Sequence, residues 1–231
     1  MKKGLRSDLH IHSSFSDGHL SVAEIVDLYG QKGFDVIAIT DHICEKKTII
    51  GKVTRNLNKS LTEETFPLYA EEMRIEKIRA LEQYGMNLIF GYEITKNSFI
   101  NQRSCHVLIL GVEEFISPDL GVEEILTKAK SLGGITIAAH PFYTGDFEFQ
   151  TYYLWSRREE LKHLIDAWEM SYRKKVSAEV MTSGLPLIAS SDFHRLGHMS
   201  SWKTELHCEN SFEEIQKCIS EQRLDFYYCL A

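Results

Sequence analysis

Nine side chains able to bind a metal ion recur along this chain, most of them at the ends of apolar runs. They are His10, His12, Asp17, His42, Glu93, His106, His140, Asp192 and His194. They fall in Asp8-Leu-His-Ile-His12, Ser16-Asp-Gly18, Thr40-Asp-His42, Gly91-Tyr-Glu93, Cys105-His-Val107, Ala139-His-Pro141 and Ser191-Asp-Phe-His194. A strand that ends in an imidazole or a carboxylate turns that group out of the core. Several such ends on one face of a sheet or barrel make a polynuclear metal site. Sites of that kind activate water or bind phosphate.

Spacing sharpens the reading. Side chains alternate along a strand with period two, so His10 and His12 share a side and can hold one ion. Asp192 and His194 repeat the geometry late in the chain. Glu93, after Gly91 at an expected strand end, is the candidate to bridge two cations about 3.5–4 Å apart. Taken singly, a buried histidine is more often a satisfied core residue, and an aspartate after a strand is more often a cap or turn former. Taken together, six of the ten histidines fall at expected strand boundaries. His19, His163 and His207 have no such context. His198, just beyond His194, is placed to reach a substrate.

The elements that must position these groups alternate along the chain. Leu9 to His12 reads as a short strand. Ser21-Val-Ala-Glu24 is a capping box opening a helix with Val22, Ile25, Val26 and Tyr29 on its apolar side. Val36 to Thr40 is a continuous apolar run, as a strand buried on both faces requires. Ile43 to about Thr62, locally basic through Lys46, Lys47, Lys52, Arg55 and Lys59, reads as a loop or lid. A long helix from about Phe66 to Gln83 leads to a strand at Met86 to Phe90. Further strands are expected at 106–111, 135–139, 165–170 and 187–190, with helices at 121–132, 159–164 and 176–183 between them. A second capping box, Ser211-Phe-Glu-Glu214, opens the last helix, and Phe226-Tyr-Tyr228 follows. Strand–helix alternation predicts an α/β fold with a mainly parallel sheet. Ligands at many separate strand ends favour a closed barrel with its active site at the mouth.

Composition narrows the class. The 231 residues, 43% hydrophobic, suffice for a single domain over 1–231. The formal charge of -7 argues against broad nucleic-acid binding, while leaving room for a nucleotide or a strand end at a metal centre. Five cysteines without a CxxC pair suit a reduced, cytoplasmic protein. No signal-peptide pattern opens the sequence, and no apolar run is long enough to span a bilayer. For phosphate binding, Arg173 and Arg195 are the candidates, because a guanidinium fork matches phosphate oxygens. Trp155, Trp168 and Trp202 read as core or rim packing.

These motifs resemble, in order and from Asp8 to about Trp202, those of the PHP family, named for polymerase and histidinol phosphatase. The resemblance implies a distorted (β/α)7 TIM-like barrel with two to three divalent ions, Zn, Mn or Fe. It implies a first metal on His10, His12, Glu93 and Asp192. Glu93 would bridge to a second, held with His106 and His140. Asp17, His42 and His194 would hold a third. Some members carry His where Asp17 stands, which alters the charge and metal preference of that site. The implied reaction is phosphoester hydrolysis by a metal-activated water, with Glu93, Asp192 and His194 taking part. Asp8 and Asp41 are expected to orient imidazoles from behind. The expected substrate is a small phosphomonoester: a nucleotide, a nucleoside bisphosphate or an oligonucleotide end. Histidinol phosphate is the alternative within the class. Outside it stand an amidohydrolase-like C–N hydrolase, disfavoured because no lysine ends a buried run where a bridging group is needed, and a metal-binding module without chemistry. Oligomeric state is not legible.

Overall fold

The computed structural model describes residues 4–46, 59–98, 100, 103–142 and 151–230. Its strands are β1 (Leu5–Ile11), β2 (Val36–Ile39), β3 (His42–Cys44), β4 (Asn87–Lys96), β5 (Cys105–Leu110), β6 (Ile135–Ala138), β7 (Ala167–Glu169), β8 (Ser171–Tyr172), β9 (Lys175–Val176), β10 (Leu187–Ile188), β11 (Ser201–Leu206) and β12 (Leu224–Cys229). The helices are α1 (Val22–Gln31), α2 (Phe66–Tyr84), α3 (Val122–Ser131), α4 (Tyr153–Ser156), α5 (Arg158–Leu161), α6 (Ala178–Met181) and α7 (Phe212–Ser220).

The main sheet runs β10-β7-β6-β5-β4-β2-β1-β11-β12, with β3 beside the second half of β4. Its curvature brings the segment after β10 back to β1. There the Phe193 amide donates to His10 O at 3.1 Å, and the His12 amide donates to Phe193 O at 2.7 Å. The strands β1, β2, β4, β5, β6, β7 and β10 thus form a nearly closed, distorted TIM-like barrel of the α/β class. β11 and β12 form an antiparallel flap outside it.

The barrel's ladders are mainly parallel, as expected, with one reversal. β5 runs antiparallel to both β4 and β6. This reversal explains His106, which lies at the start of its strand and yet faces the rim where its neighbours end. Glu93 is likewise not at a strand end. It lies within β4, opposite His42 of β3 and Leu108 of β5. Part of the expected loop is therefore strand, since Ile43 and Cys44 belong to β3. Its residues 47–58 lie outside the described residues.

Two apolar layers follow from the alternation along each strand. Leu9, Val36, Ala38, Ile89, Leu108, Leu110, Ile135, Ile137, Ala167 and Ile188 fill the barrel interior, with Ile215, Cys218 and Ile219 of α7 packed against them. Ile37, Ile39, Leu88, Phe90, Val107 and Ile109 face outward onto the helices. Each fully buried Ile or Phe contributes roughly 1.5–3 kcal/mol relative to exposure. α1 starts at the expected capping box: the Ser21 amide donates to Glu24 Oε2 at 2.8 Å, and the Glu24 amide donates to Ser21 Oγ at 3.3 Å. α2 ends at Gly85, whose φ of 64° is cheap only for a residue without Cβ. Tyr69 of α2 reaches Ile39 O and Gly91 O at 2.9 and 2.8 Å, pinning the helix to the barrel wall beneath Glu93.

Candidate metal centre

Local irregularity aims the site residues. Leu9 and Ile11 are two apart yet belong to opposite layers. A register irregularity between Asp8 and Ile11 makes this possible, as a bulge does, and it turns both His10 and His12 into the mouth. His140 and Asp192, just past β6 and in the segment after β10, have φ of 28° and 49°. Such values are uncommon outside glycine and collect at functional sites. Asp17 rides on a tight loop. Asp41 shapes that loop by accepting from Ser13 N, Ser13 Oγ and Ser16 Oγ at 2.8, 2.6 and 2.5 Å. At Gly18, a Cβ would stand 2.1 Å from His12 O, so no other residue fits.

Asp8 and Asp41 do not meet the imidazoles they were expected to orient. Asp8 accepts from Tyr29 Oη, Ser191 N, Ser191 Oγ and the buried Lys203 Nζ at 2.7, 3.0, 2.6 and 3.0 Å. It thereby fixes the residue before Asp192. Both aspartates shape loops that carry site residues.

All nine sequence-derived residues converge on the mouth of the barrel, in overlapping groups. His10, His12 and Glu93 form one, and His10, His140 and Asp192 another. Glu93, His106 and His140 form a third, and His12, Asp17, His42 and His194 a fourth. His10 Nε2 and His12 Nε2 are 3.0 Å apart. They lie 3.5 and 3.4 Å from Glu93 Oε2, and each is 3.3 Å from Asp192 Oδ1. Ligand atoms about 2.0–2.1 Å from one ion at tetrahedral angles would stand about 3.3–3.4 Å apart. Glu93 Oε1 faces the other way, 2.9 Å from His106 Nδ1 and 3.6 Å from His140 Nε2. The two oxygens of Glu93 therefore serve two groups. His194 Nε2 and His42 Nε2 lie 3.1 and 3.6 Å from Asp17 Oδ1.

The hydrogen bonds behind the rings decide which nitrogens face inward. His10 Nδ1 lies 3.0 Å from Glu169 Oε1, which only accepts, so Nδ1 donates and Nε2 presents its lone pair. His106 Nε2 donates to Asn97 Oδ1 at 3.0 Å. Thr151 Oγ1 gives its proton to His140 O at 2.6 Å and can only accept from His140 Nδ1 at 3.3 Å. His194 Nδ1 donates to Asp192 O at 3.0 Å. In each case the inward nitrogen is aimed at a carboxylate and becomes an acceptor for a cation once its own proton leaves; burial opposes a proton on His10 and His194, but the acids around them raise both above the usual imidazole range. Both oxygens of Glu93, Asp17 Oδ1, His12 Nδ1 and His106 Nδ1 are buried without a hydrogen-bond partner. Buried polar atoms are rarely left so. Cations among them would satisfy both Glu93 oxygens, Asp17 Oδ1 and His106 Nδ1, so the residues fit divalent metal ions.

The electrostatics show that imidazoles and carboxylates hold one another in their charged forms. Burial opposes ionisation of Glu93, but His106, His42 and His10 outweigh it and hold the carboxyl well below its usual range. Asp192 is likewise held well below by His194 and His10 against its burial. Asp17 is lowered in the same way, burial being overcome by His42 and His194. Burial lowers the His12 imidazole, together with His194 and His42, to about 3. The rings of those two stack on His12 at 4.2 and 4.3 Å. Burial works against a proton on His42 as well, but Glu93 and Asp17 raise it to about 9.

The residues expected to touch substrate are placed differently from one another. Arg173, with φ of 54°, carries its guanidinium over the Tyr172 ring at 4.6 Å and 3.7 Å from Asp192 Oδ2, at the edge of the centre. Arg195 is exposed, and its Nε donates to His198 Nε2 at 3.2 Å. His198 is buried, and its Nδ1 is 3.2 Å from both His194 N and Asp192 O, so it braces the Asp192–His194 turn. Sequence reasoning missed Glu169, Thr95, Asn97 and Thr151, the residues behind the imidazoles. Thr95 Oγ1 is 2.7 Å from His42 Nδ1. Only Glu169 had a signal, as an acid inside the apolar run Ala167–Met170.

A barrel whose mouth gathers six imidazoles and three carboxylates in this way is the framework of a metal-dependent hydrolase. The chain belongs to the PHP family, whose domain it matches over residues 8–226. It is 28% identical over 149 residues to the uncharacterized protein MJ1587 of Methanocaldococcus jannaschii, covering 60% of this chain and 68% of that one. It is 28% identical over 137 residues to the DNA polymerase/3'-5' exonuclease PolX of Bacillus subtilis, covering 59% of this chain and 23% of that one. The phosphoribosyl 1,2-cyclic phosphate 1,2-diphosphodiesterase of Eggerthella lenta is 28% identical over 107 residues, 46% of this chain and 31% of its own. Among solved structures, a two-domain protein of Bacteroides vulgatus containing a predicted PHP-like metal-dependent phosphoesterase superposes with a TM-score of 0.74 at 19% identity. That likeness spans 97% of this chain and 65% of the other. No helix among the described residues is long and apolar enough to cross a membrane.

Proposed function

We propose that this chain hydrolyses a small phosphomonoester at a centre of two to three divalent cations, Zn, Mn or Fe. His10, His12, Glu93 and Asp192 hold the first, Glu93, His106 and His140 the second, and Asp17, His42 and His194 the third. The observation that carries this is the convergence of ligand atoms: four imidazoles whose outer nitrogens are already hydrogen-bonded turn their other nitrogens toward Glu93, Asp17 and Asp192. Cations bound there lower the pKa of a water and stabilise charge on phosphoryl oxygens.

The chain's own groups supply the rest. Glu93, ionised and buried, keeps the groups on its two sides in fixed relation. Asp192 and His194 are the groups placed to accept a proton at the centre, through Asp192 Oδ1 and His194 Nε2, whose outer Nδ1 is held by Asp192 O. Arg173 supplies a guanidinium for phosphate oxygens beside Asp192, and Arg195 and His198 lie on the same rim. A nucleotide, a nucleoside bisphosphate or an oligonucleotide end is the favoured substrate. Two relatives, an exonuclease and a cyclic phosphate diphosphodiesterase, support phosphoester chemistry. All five cysteines are free, which supports a reducing, cytoplasmic setting.

The test is a phosphate-release screen of the metal-loaded protein against nucleotides, bisphosphates, histidinol phosphate and sugar phosphates. Release that a chelator abolishes and Mn²⁺ or Zn²⁺ restores is expected. Chelator-resistant turnover, or no release from any ester, contradicts the proposal.

A further inference from the structure

One side of the main sheet is closed and the other is open. On the closed side, side chains bond the backbone of β10 and the residue after it where they face away from β7. Gln222 Oε1 accepts from Leu187 N at 2.8 Å, and Gln222 Nε2 donates to Leu187 O at 3.2 Å. The Thr204 hydroxyl accepts from Ala189 N and donates to Ala189 O, both at 2.9 Å. On the open side lies β12, which pairs with β11 over all six residues without a bulge. The His207 amide donates to Arg223 O at 2.9 Å, so by alternation Asp225, Tyr227 and Cys229 also turn their backbone groups to β11. Leu224, Phe226 and Tyr228 turn theirs outward, where they meet no partner among the described residues. Such an edge is a template for another strand. Folded proteins blunt one with proline, lysine, a bulge or a very short strand. Leu224-Asp-Phe-Tyr-Tyr-Cys229 has none of these, and Asp225 is its only charge.

We propose that β12 pairs antiparallel with β12 of a second copy of this chain, about a two-fold axis at Phe226, and so joins two sheets into one. The strand's own pattern selects that occupant and that register. Centred on Phe226, the ladder sets Phe226 against its mate and Leu224 against the partner's Tyr228, so every outward N–H and C=O is bonded. Asp225 then faces the partner's Tyr227, and no like charges meet. Centred on Asp225, the ladder would oppose two carboxylates and leave Tyr228 beyond the partner's strand. Centred on Tyr227, it would leave Leu224 unpaired. Phe226 opposite its mate also supplies an aromatic cross-strand pair, of the kind that stabilises sheets. A two-fold contact closes on itself, so both open edges are used up in a dimer. The proposal does not depend on the hydrolase reading.

The contact is short beside the interfaces of permanent dimers, so sedimentation equilibrium of the zinc-loaded protein should span from about 5 µM to about 1 mM. A shift from one chain mass toward two is expected across that range. Residue-resolved amide exchange over the same range locates the contact. The amides of Asp225, Tyr227 and Cys229 should be protected throughout, and those of Leu224, Phe226 and Tyr228 should gain protection as concentration rises. Tyr228→Pro removes an outward N–H from each chain and leaves the bonds to β11 in place. It should raise the dissociation constant at least about tenfold, the worth of two hydrogen bonds. A monomer at every concentration overturns the proposal. So does a dimer whose three outward amides stay unprotected, or one that a folded Tyr228→Pro variant forms as tightly as the wild type. If that variant does not fold, exchange in the wild type decides between the same two results.

Discussion

Glu169 Oε1 lies 3.0 Å from His10 Nδ1, while its Oε2 accepts the His140 amide hydrogen at 2.8 Å. One buried carboxylate on β7 thus sets the tautomer of an imidazole from β1 and the backbone of a residue just past β6. Acids behind metal-binding histidines typically contribute 10–100-fold to metal affinity. Glu169→Ala should weaken metal binding about 10–100-fold while the far-ultraviolet circular dichroism stays native. Competition against a chromophoric chelator measures this, and wild-type affinity in the variant would remove Glu169 from the account.

Glu93→Gln keeps the size of the side chain and removes its charge. The amide offers one acceptor where two oxygens now face two groups. Hydrolysis should be abolished, and metal content by elemental analysis should drop, with the fold largely kept. Full activity in this variant rules out a bridging role.

Metal binding should release protons. In the metal-free protein His42 is raised to about 9, burial being outweighed by Glu93 and Asp17. It therefore carries a proton at neutral pH that an incoming cation must displace. Affinity should rise with pH from about 7 to 9 and level off above, as potentiometry or calorimetry in buffers of different ionisation enthalpy will show. The same shift fixes a sign for stability. A histidine raised on folding stabilises fully below its unfolded pKa of about 6.5, and the effect disappears as pH passes the folded value. Through His42, the metal-free protein should lose thermal stability between pH 7 and 9, whereas the metal-loaded form should not. A flat pH dependence of affinity contradicts the assignment.

Lys203 and Asp8 are both fully buried, and Nζ lies 3.0 Å from Oδ2. Removing one member of such a pair strands the other charge. Lys203→Met should cost about 3–5 kcal/mol in urea unfolding, and Asp8→Asn on top of it should restore part of the loss. A cost below about 1 kcal/mol would mean that the pair is not a structural anchor for the Ser191–Asp192 turn.

Much of the centre was legible because each site residue interrupts a local pattern that one sequence displays. His10-x-His12 and Asp192-x-His194 carry period two; the capping box forms at Ser21 as expected, while Ser211 caps its helix through its own side chain only, its amide donating to Glu209 O instead. What remained hidden is non-local. The direction of β5 depends on its neighbours, and nothing within Cys105–Leu110 encodes it. Glu93 reads as an end because Gly91 precedes it, yet pairing with β3 and β5 carries β4 on to Lys96. β11 went unread because Ser201–Leu206 mixes Trp202, Leu206, Lys203 and Glu205, and its strand character comes from pairing with β1 and β12. Glu169 and Asn97 act only through rings that the fold brings to them.

The most direct measurement is anomalous diffraction from crystals grown with Mn²⁺. An anomalous peak is expected within bonding distance, about 2.0–2.3 Å, of His10, His12, Glu93 and Asp192. A second peak is expected on the His106 and His140 side of Glu93. Peaks elsewhere on the protein, with this cluster empty at saturating metal, would contradict it.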